Sequence, residues 1–305
     1  MPVPRRAVVT VLALLGLAAT GAAQTTPAAQ AASSPRHYVA LGDSHTAGPG
    51  IPVQRADPVG CGRSTRNYPA LVAEALGVAD YTDVSCSGAT TDNMTAAQPL
   101  LLGSNPPQFD ALRPDTDLVT VSISGNDIGF TDIISTCFRL SATDPLGNPC
   151  QRHATAGGVD RYAQRIAAAA PRVAGVLAGI RQRSPHAQLL LVGYLRIVPP
   201  AGGCYLVAPI SRGDVPYLDS LQRQLTAGLA EQAGTYGAAF VDSYAASLGH
   251  DVCQPPGVRW VEGVVPTSPA SPVHPNATGM HAVAVLTLDT LGARRTGGAS
   301  GVDMA

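Results

Sequence analysis

The sequence predicts an α/β fold with a mostly parallel central sheet covered on both faces by helices, and two observations predict it. Short apolar runs of three to six residues, bounded by Gly, Pro, Ser or Asp, recur along the chain and read as buried strands. Between them lie stretches whose apolar residues are spaced as on one face of a helix. Strands that alternate with helices build a largely parallel sheet, because each helix carries the chain back across a face of the sheet to start the next strand.

The chain opens with Arg5 and Arg6, an apolar stretch from Ala7 to about Ala19, and small residues around Gly21-Ala22-Ala23 and Ala28 to Ala32. This is the layout of a secretory signal peptide, assigned with the start of a linker to residues 1–32, and its apolar part is too short to span a membrane. A polar linker reaches about Pro35. Strands are expected at Tyr38–Leu41, Tyr81–Val84, Leu118–Ile123, Leu189–Val192 and Ala239–Val241. Val159, Tyr162, Ile166, Val173, Leu177 and Ile180 recur at helical steps and mark a long helix that Pro171 is expected to kink. Leu218, Leu221, Leu225 and Leu229 form a second stripe. A last helix is expected from Asn276, a good N-cap, to about Leu291. The alternation has no linker-like break, so one domain is expected over 36–293, followed by a loose tail at 294–305.

The formal net charge of −1 gives no reason to expect nucleic acid or an acidic membrane surface as a partner. No later apolar run reaches the roughly 18 residues of a spanning helix, so no transmembrane anchor is expected after signal cleavage. The mature protein is expected to be secreted and extracellular, free or associated with the cell wall, and to be a monomer. Cys61, Cys86, Cys137, Cys150, Cys204 and Cys253 lie in the exported part. An even count in an oxidising compartment favours disulfides, and no Cys-x-x-Cys spacing supports a metal site. Six cysteines allow about 15 connectivities, of which sequential pairing is the most local.

In an open parallel sheet, reactive groups gather beyond the carboxyl ends of the strands. Four local sequences can meet there: Gly42-Asp43-Ser44, Ser85-Cys86-Ser87-Gly88-Ala89, Gly125-Asn126-Asp127 and His274-Pro275-Asn276. Each taken alone reads as a turn or a helix entry. Together they supply what ester hydrolysis needs, namely a nucleophile, a base, and donors for the developing oxyanion. Ser44 is the candidate nucleophile and His274 the candidate base. The Ser44 and Gly88 backbone N–H groups and the Asn126 side-chain amide are the candidate oxyanion hole. Asp43 and Asp127 are expected to hold loops, and the other histidines to be structural. Trp260 is expected either to line an acyl pocket or to pack a lid.

Those four blocks resemble the SGNH, or GDSL-type, hydrolase superfamily, whose blocks contribute Ser, Gly, Asn and His in this order, and Ser44, Gly88, Asn126 and His274 match them one by one. The cysteines and the stretches Gly60-Cys61-Gly62-Arg63-Ser64 and His250-Asp251-Val252-Cys253 are similar to its secreted actinomycete lipases and esterases. The resemblance covers nearly all of 36–293. It implies a flavodoxin-like three-layer α/β/α sandwich, three sequential disulfides, no metal or organic cofactor, and a small-molecule or lipid ester as substrate. One position departs from the common pattern. Where many relatives carry an aspartate three residues before the histidine, this chain has Ser271, so the resemblance implies a Ser-His dyad with the carbonyl of Ser271 or Pro272 orienting the ring. A remote acid, Asp251 or Asp242, is the alternative. The expected activity is that of a lipase or esterase, with phospholipase A, carbohydrate O-deacetylase and a non-catalytic binding module as the other readings.

Overall fold

The run Tyr38-Val39-Ala40-Leu41 is buried from end to end, as an interior strand covered on both sides must be. It belongs to β1 (His37–Gly42) of a computed structural model that describes residues 1–3 and 35–292; all but the first three residues of the expected signal segment, and the C-terminal tail, lie outside the described residues. The other strands are β2 (Asp80–Asp83), β3 (Gln98–Pro99), β4 (Ser104–Asn105), β5 (Leu118–Ser122), β6 (Gln188–Val192) and β7 (Ala239–Val241). The helices are α1 (Ser44–Ala47), α2 (Tyr68–Leu76), α3 (Phe130–Ser141), α4 (Pro149–Thr155), α5 (Arg161–Arg183), α6 (Val215–Thr235), α7 (Ser243–Ala246) and α8 (Ala277–Thr290).

Five strands form a wholly parallel sheet in the order β2-β1-β5-β6-β7, while β3 and β4 make a separate antiparallel hairpin. The helices flank the sheet, α2 packing on α8 and α5 on α6. Leu41, Leu118, Leu190 and Leu191 are almost completely buried between these layers, each contributing about 1.5–3 kcal/mol of apolar burial. From β1 the chain moves to β2 on one side, then crosses back to β5 on the other. The strand order therefore reverses between β1 and β5, and a crevice opens at their carboxyl ends. The register pairs Gly42 with Ser122, so the residues leaving the two strands start side by side.

Side-chain caps set the helix starts. Asn67 accepts from the Ala70 N–H, Asp160 from those of Tyr162 and Ala163, and Asn276 from that of Gly279. The Asp160 cap places the start of α5 at Arg161, so Val159, expected inside the helix, stands outside it and exposed. Pro171 lies within α5, which continues as one helix to Arg183 against α6. Disulfides join Cys61 to Cys86, Cys137 to Cys150 and Cys204 to Cys253. Among the described residues, no helix is long and apolar enough to cross a membrane.

Candidate active site

β1 ends at Gly42, where the chain turns sharply into α1. Gly42 has a φ of 148°, and a Cβ there would collide with the Thr46 hydroxyl and the Ser122 carbonyl, so only glycine fits. Gln108 brackets its backbone, accepting from the Gly42 N–H at 2.7 Å and donating to its carbonyl at 2.9 Å. The next residue continues the ladder, the Asp43 N–H donating to the Ser122 carbonyl at 3.0 Å. The Asp43 carboxylate caps α1 by accepting from the His45 N–H and takes a second bond from the Tyr194 hydroxyl, at 2.9 and 2.6 Å. Burial pushes its pKa up to about 7 against those hydrogen bonds. Ser44 is thereby held, half-exposed, as the first residue of α1.

His274 lies 230 residues further on, with Nε2 2.9 Å from Ser44 Oγ and Nδ1 2.8 Å from the Pro272 carbonyl oxygen. A carbonyl can only accept, so Nδ1 carries the proton and Nε2 presents its lone pair to the serine hydroxyl. Burial holds the His274 pKa below the ordinary histidine value, more than the Pro272 carbonyl raises it. The carbonyl reaches the ring because Ser271–His274 is a tight turn. The His274 N–H donates to the Ser271 carbonyl at 3.2 Å, Pro272 takes the second position, and Val273 adopts a left-handed φ of 59°. These are the marks of a type II turn, whose central peptide plane is rotated by roughly 150° from that of a type I turn. A left-handed valine is strained. Its N–H donates to the Glu262 carbonyl at 3.1 Å, and the Glu262 N–H donates to the His274 carbonyl at 3.0 Å. The buried Glu262 carboxylate accepts from Asn276 Nδ2 and the Thr267 N–H, both at 2.8 Å; although burial opposes it, these bonds keep its pKa below the usual value.

Asn126 lines one cleft with Ser44, and Gly88 lies on the loop to which Asn126 is bonded. The Cys61–Cys86 disulfide pins the loop carrying Gly88, and Gln98 Nε2 donates to the Ser87 carbonyl at 2.8 Å. Gly88 has a left-handed φ of 82°. Asn126, beyond β5, donates from Nδ2 to the Ala89 carbonyl at 2.9 Å, while Asp127 accepts from the Thr91 N–H and hydroxyl. The two loops are thus stitched together. Neither the Ser44 nor the Gly88 backbone N–H donates to any acceptor among the described residues, and Asn126 Nδ2 has a second hydrogen to give.

An apolar cleft adjoins these groups. Ser44, Asn126 and His274 line it, together with apolar side chains that include Phe130, Ile133, Ile166, Leu221 and Leu225, drawn from α3, α5 and α6. An apolar pocket with a few convergent polar groups is the form of a small-molecule site.

Comparison with known proteins bears on this arrangement. Residues 40–282 match the model of the GDSL-like lipase/acylhydrolase family. The chain belongs to that family. It is 40% identical over 302 residues to Lipase 2 of Streptomyces coelicolor, covering 96% of this chain and 99% of the relative. Among solved structures it is similar to phospholipase A1 from Streptomyces albidoflavus, with TM-score 0.70 and 27% identity, covering 85% of this chain and 99% of that one. The extracellular lipase of Streptomyces rimosus gives TM-score 0.68 and 28% identity, covering 84% and 98%. As a GDSL-type lipase/esterase the protein is a carboxylic ester hydrolase, and the expected α/β fold with a mostly parallel sheet is the one observed.

Against this GDSL framework several sequence expectations are corrected or resolved. The carbonyl of Ser271 accepts from the His274 backbone, so of the two candidates only that of Pro272 meets the ring. Asp251 accepts from the Cys253 N–H and Asp242 from the Ala245 N–H, and neither is bonded to His274. Trp260 stacks on His250 with ring centroids 4.0 Å apart and is not part of the cleft wall. Tyr194, Gln108 and Glu262 were missed. Tyr194 alone left a signal, since it follows the run Leu189–Val192 as Ser44 follows its own strand.

Proposed function

We propose that Ser44 is the nucleophile and His274 the general base and acid of a Ser-His dyad, with the Ser44 N–H, the Gly88 N–H and Asn126 Nδ2 as the oxyanion hole. The observation that carries this reading is the relay from Ser44 Oγ to His274 Nε2, with Nδ1–H committed to the Pro272 carbonyl. Ser44 Oγ attacks the ester carbonyl carbon while its proton passes to Nε2. The oxyanion takes hydrogen bonds from the three donors. Collapse breaks the acyl–oxygen bond, the leaving alkoxide takes the proton from Nε2, and the acyl group stays on Ser44. Water then attacks, losing its proton to Nε2; the second collapse frees the carboxylic acid and returns that proton to Ser44. The Pro272 carbonyl stabilises the imidazolium less than a carboxylate would, yet it fixes tautomer and orientation.

The apolar cleft supports lipid esters as substrates, with the acyl chain between α3, α5 and α6. Similarity to a phospholipase A1 favours phospholipids as a second reading within the same chemistry. In this reading the chain is exported as a monomer, residues 1–32 contain the signal peptide, and 36–293 form the catalytic domain ahead of the tail at 294–305. The three disulfides agree with an oxidising compartment.

Chromogenic acyl esters of graded chain length test the mechanism. Turnover is expected in the native protein and its loss in Ser44→Ala; wild-type turnover in that variant would sink the assignment. Release of fatty acid from phospholipid and from triacylglycerol, compared side by side, separates the two substrate readings.

A further inference from the structure

We infer that Tyr194 is a positioning residue: its hydroxyl holds the turn carrying Ser44 and the loop carrying Asn126 at the separation the oxyanion requires. The inference rests on the roles proposed for those two residues. Tyr194 lies two residues beyond the end of β6. Its hydroxyl donates to Asp43 Oδ2 at 2.6 Å and accepts from the Gly125 N–H at 2.7 Å. Asp43 immediately precedes Ser44, and Gly125 immediately precedes Asn126. One oxygen atom therefore joins the residue before the nucleophile to the residue before the side-chain donor.

A buried tyrosine hydroxyl usually finds partners simply to avoid an unpaired polar group. Three observations give this one a further task. The β1–β5 ladder stops at Ser122, so nothing in the sheet fixes Gly125 and Asn126 against Ser44. Ser124, next to Gly125, has a positive φ of 106°, a conformation that surrounding contacts must hold. Tyr194 is itself set in a rigid segment. The Leu195 N–H donates to His45 Nε2 at 3.1 Å, and Gln222 donates to the Leu195 carbonyl at 2.6 Å and accepts from the Ile197 N–H at 3.0 Å. The Arg196 N–H donates to Ser247 Oγ at 2.8 Å. The His45 ring meets the Tyr194 ring edge-on, with centroids 5.1 Å apart. The carboxyl ends of β1, β5 and β6 are locked together at one point, and that point is the tyrosine oxygen.

Tyr194→Phe removes both hydrogen bonds and keeps the ring. Misplacing a catalytic group by about 1 Å costs on the order of 10²-fold, so kcat is expected to fall roughly ten- to hundredfold with KM little changed. Gly125→Ala provides an independent perturbation. Its Cβ would lie 3.1 Å from the Tyr194 hydroxyl oxygen, pressing on it while the Gly125 N–H is retained, and the same split is expected. Folding of each variant is checked by its thermal transition. The deciding experiment is the cycle with Asn126→Ala. If Tyr194 acts through Asn126, the double variant is expected to be no slower than Asn126→Ala within about twofold. Wild-type kcat in folded Tyr194→Phe and Gly125→Ala, or multiplicative losses in the cycle when Asn126→Ala is itself costly, overturns the inference alone. Wild-type kcat in Asn126→Ala overturns the donor role beneath it, and the inference with it.

Discussion

The two ring nitrogens of His274 face a hydroxyl and a carbonyl, and no carboxylate is bonded to either. A carboxylate partner would raise the imidazole pKa, whereas burial here lowers it. In the proposed dyad the base must be neutral to accept the Ser44 proton, so a lowered pKa extends the active form toward acid. The acid limb of kcat/KM, which reports the free enzyme, is expected to have its midpoint below the ordinary histidine value of about 6.5. Because the Asp43 carboxyl beside Ser44 is itself raised to about 7, only a midpoint above the ordinary histidine value that persists in Asp43→Asn, measured on a non-ionising ester, would mean that a carboxylate reaches the ring in solution. The proposed site residues Ser44, Gly88, Asn126 and His274 could be picked out in the sequence because each belongs to a distinctive block that follows a strand or opens a helix. The Pro272 carbonyl was legible only as one of two candidates, since every residue has a carbonyl and the choice depends on a turn conformation. A side-chain scan would pass over this member of the site, because its contribution is stored in the backbone.

At the scale of elements, the strands were recognisable because a buried parallel strand is a short unbroken apolar run bounded by turn residues. The cleft was not recognisable for a related reason. Ile166, Leu221 and Leu225 were read as helical stripes, and a stripe packed into a core has the same spacing as one that lines a pocket. The structure puts all three on the cleft wall between α5 and α6. Acyl length should therefore be set by these helices. Leu221→Phe adds bulk inside the cleft, and a mismatch of one or a few methylenes is worth about 1–3 kcal/mol in a hydrophobic pocket. The ratio of kcat/KM for long over short chromogenic esters is expected to fall by about tenfold or more. An unchanged ratio would place the acyl chain elsewhere.

Across the whole molecule, contacts between distant parts of the chain were the least legible. Tyr194 meets Asp43 across 151 residues, and no local pattern announces that meeting. Disulfides also act at this scale, because a longer closed loop removes more entropy from the unfolded chain. Cys204–Cys253 spans 49 residues and Cys137–Cys150 spans 13, which by loop entropy corresponds to about 4 and about 3 kcal/mol. Replacing both members of the longer bridge by Ser is expected to lower Tm by about 10 °C, and by more than the same change at the shorter one; calorimetry of the two double variants checks the order. The 230 residues between Ser44 and His274 have a further consequence. The proposed dyad joins the turn after the first strand to the entry of the last helix of the described domain, so a chain lacking its C-terminal end would carry the proposed nucleophile without its base. Ester cleavage is then an assay of completion: a truncated or half-folded chain is silent, and appearance of product during refolding times the docking of α8.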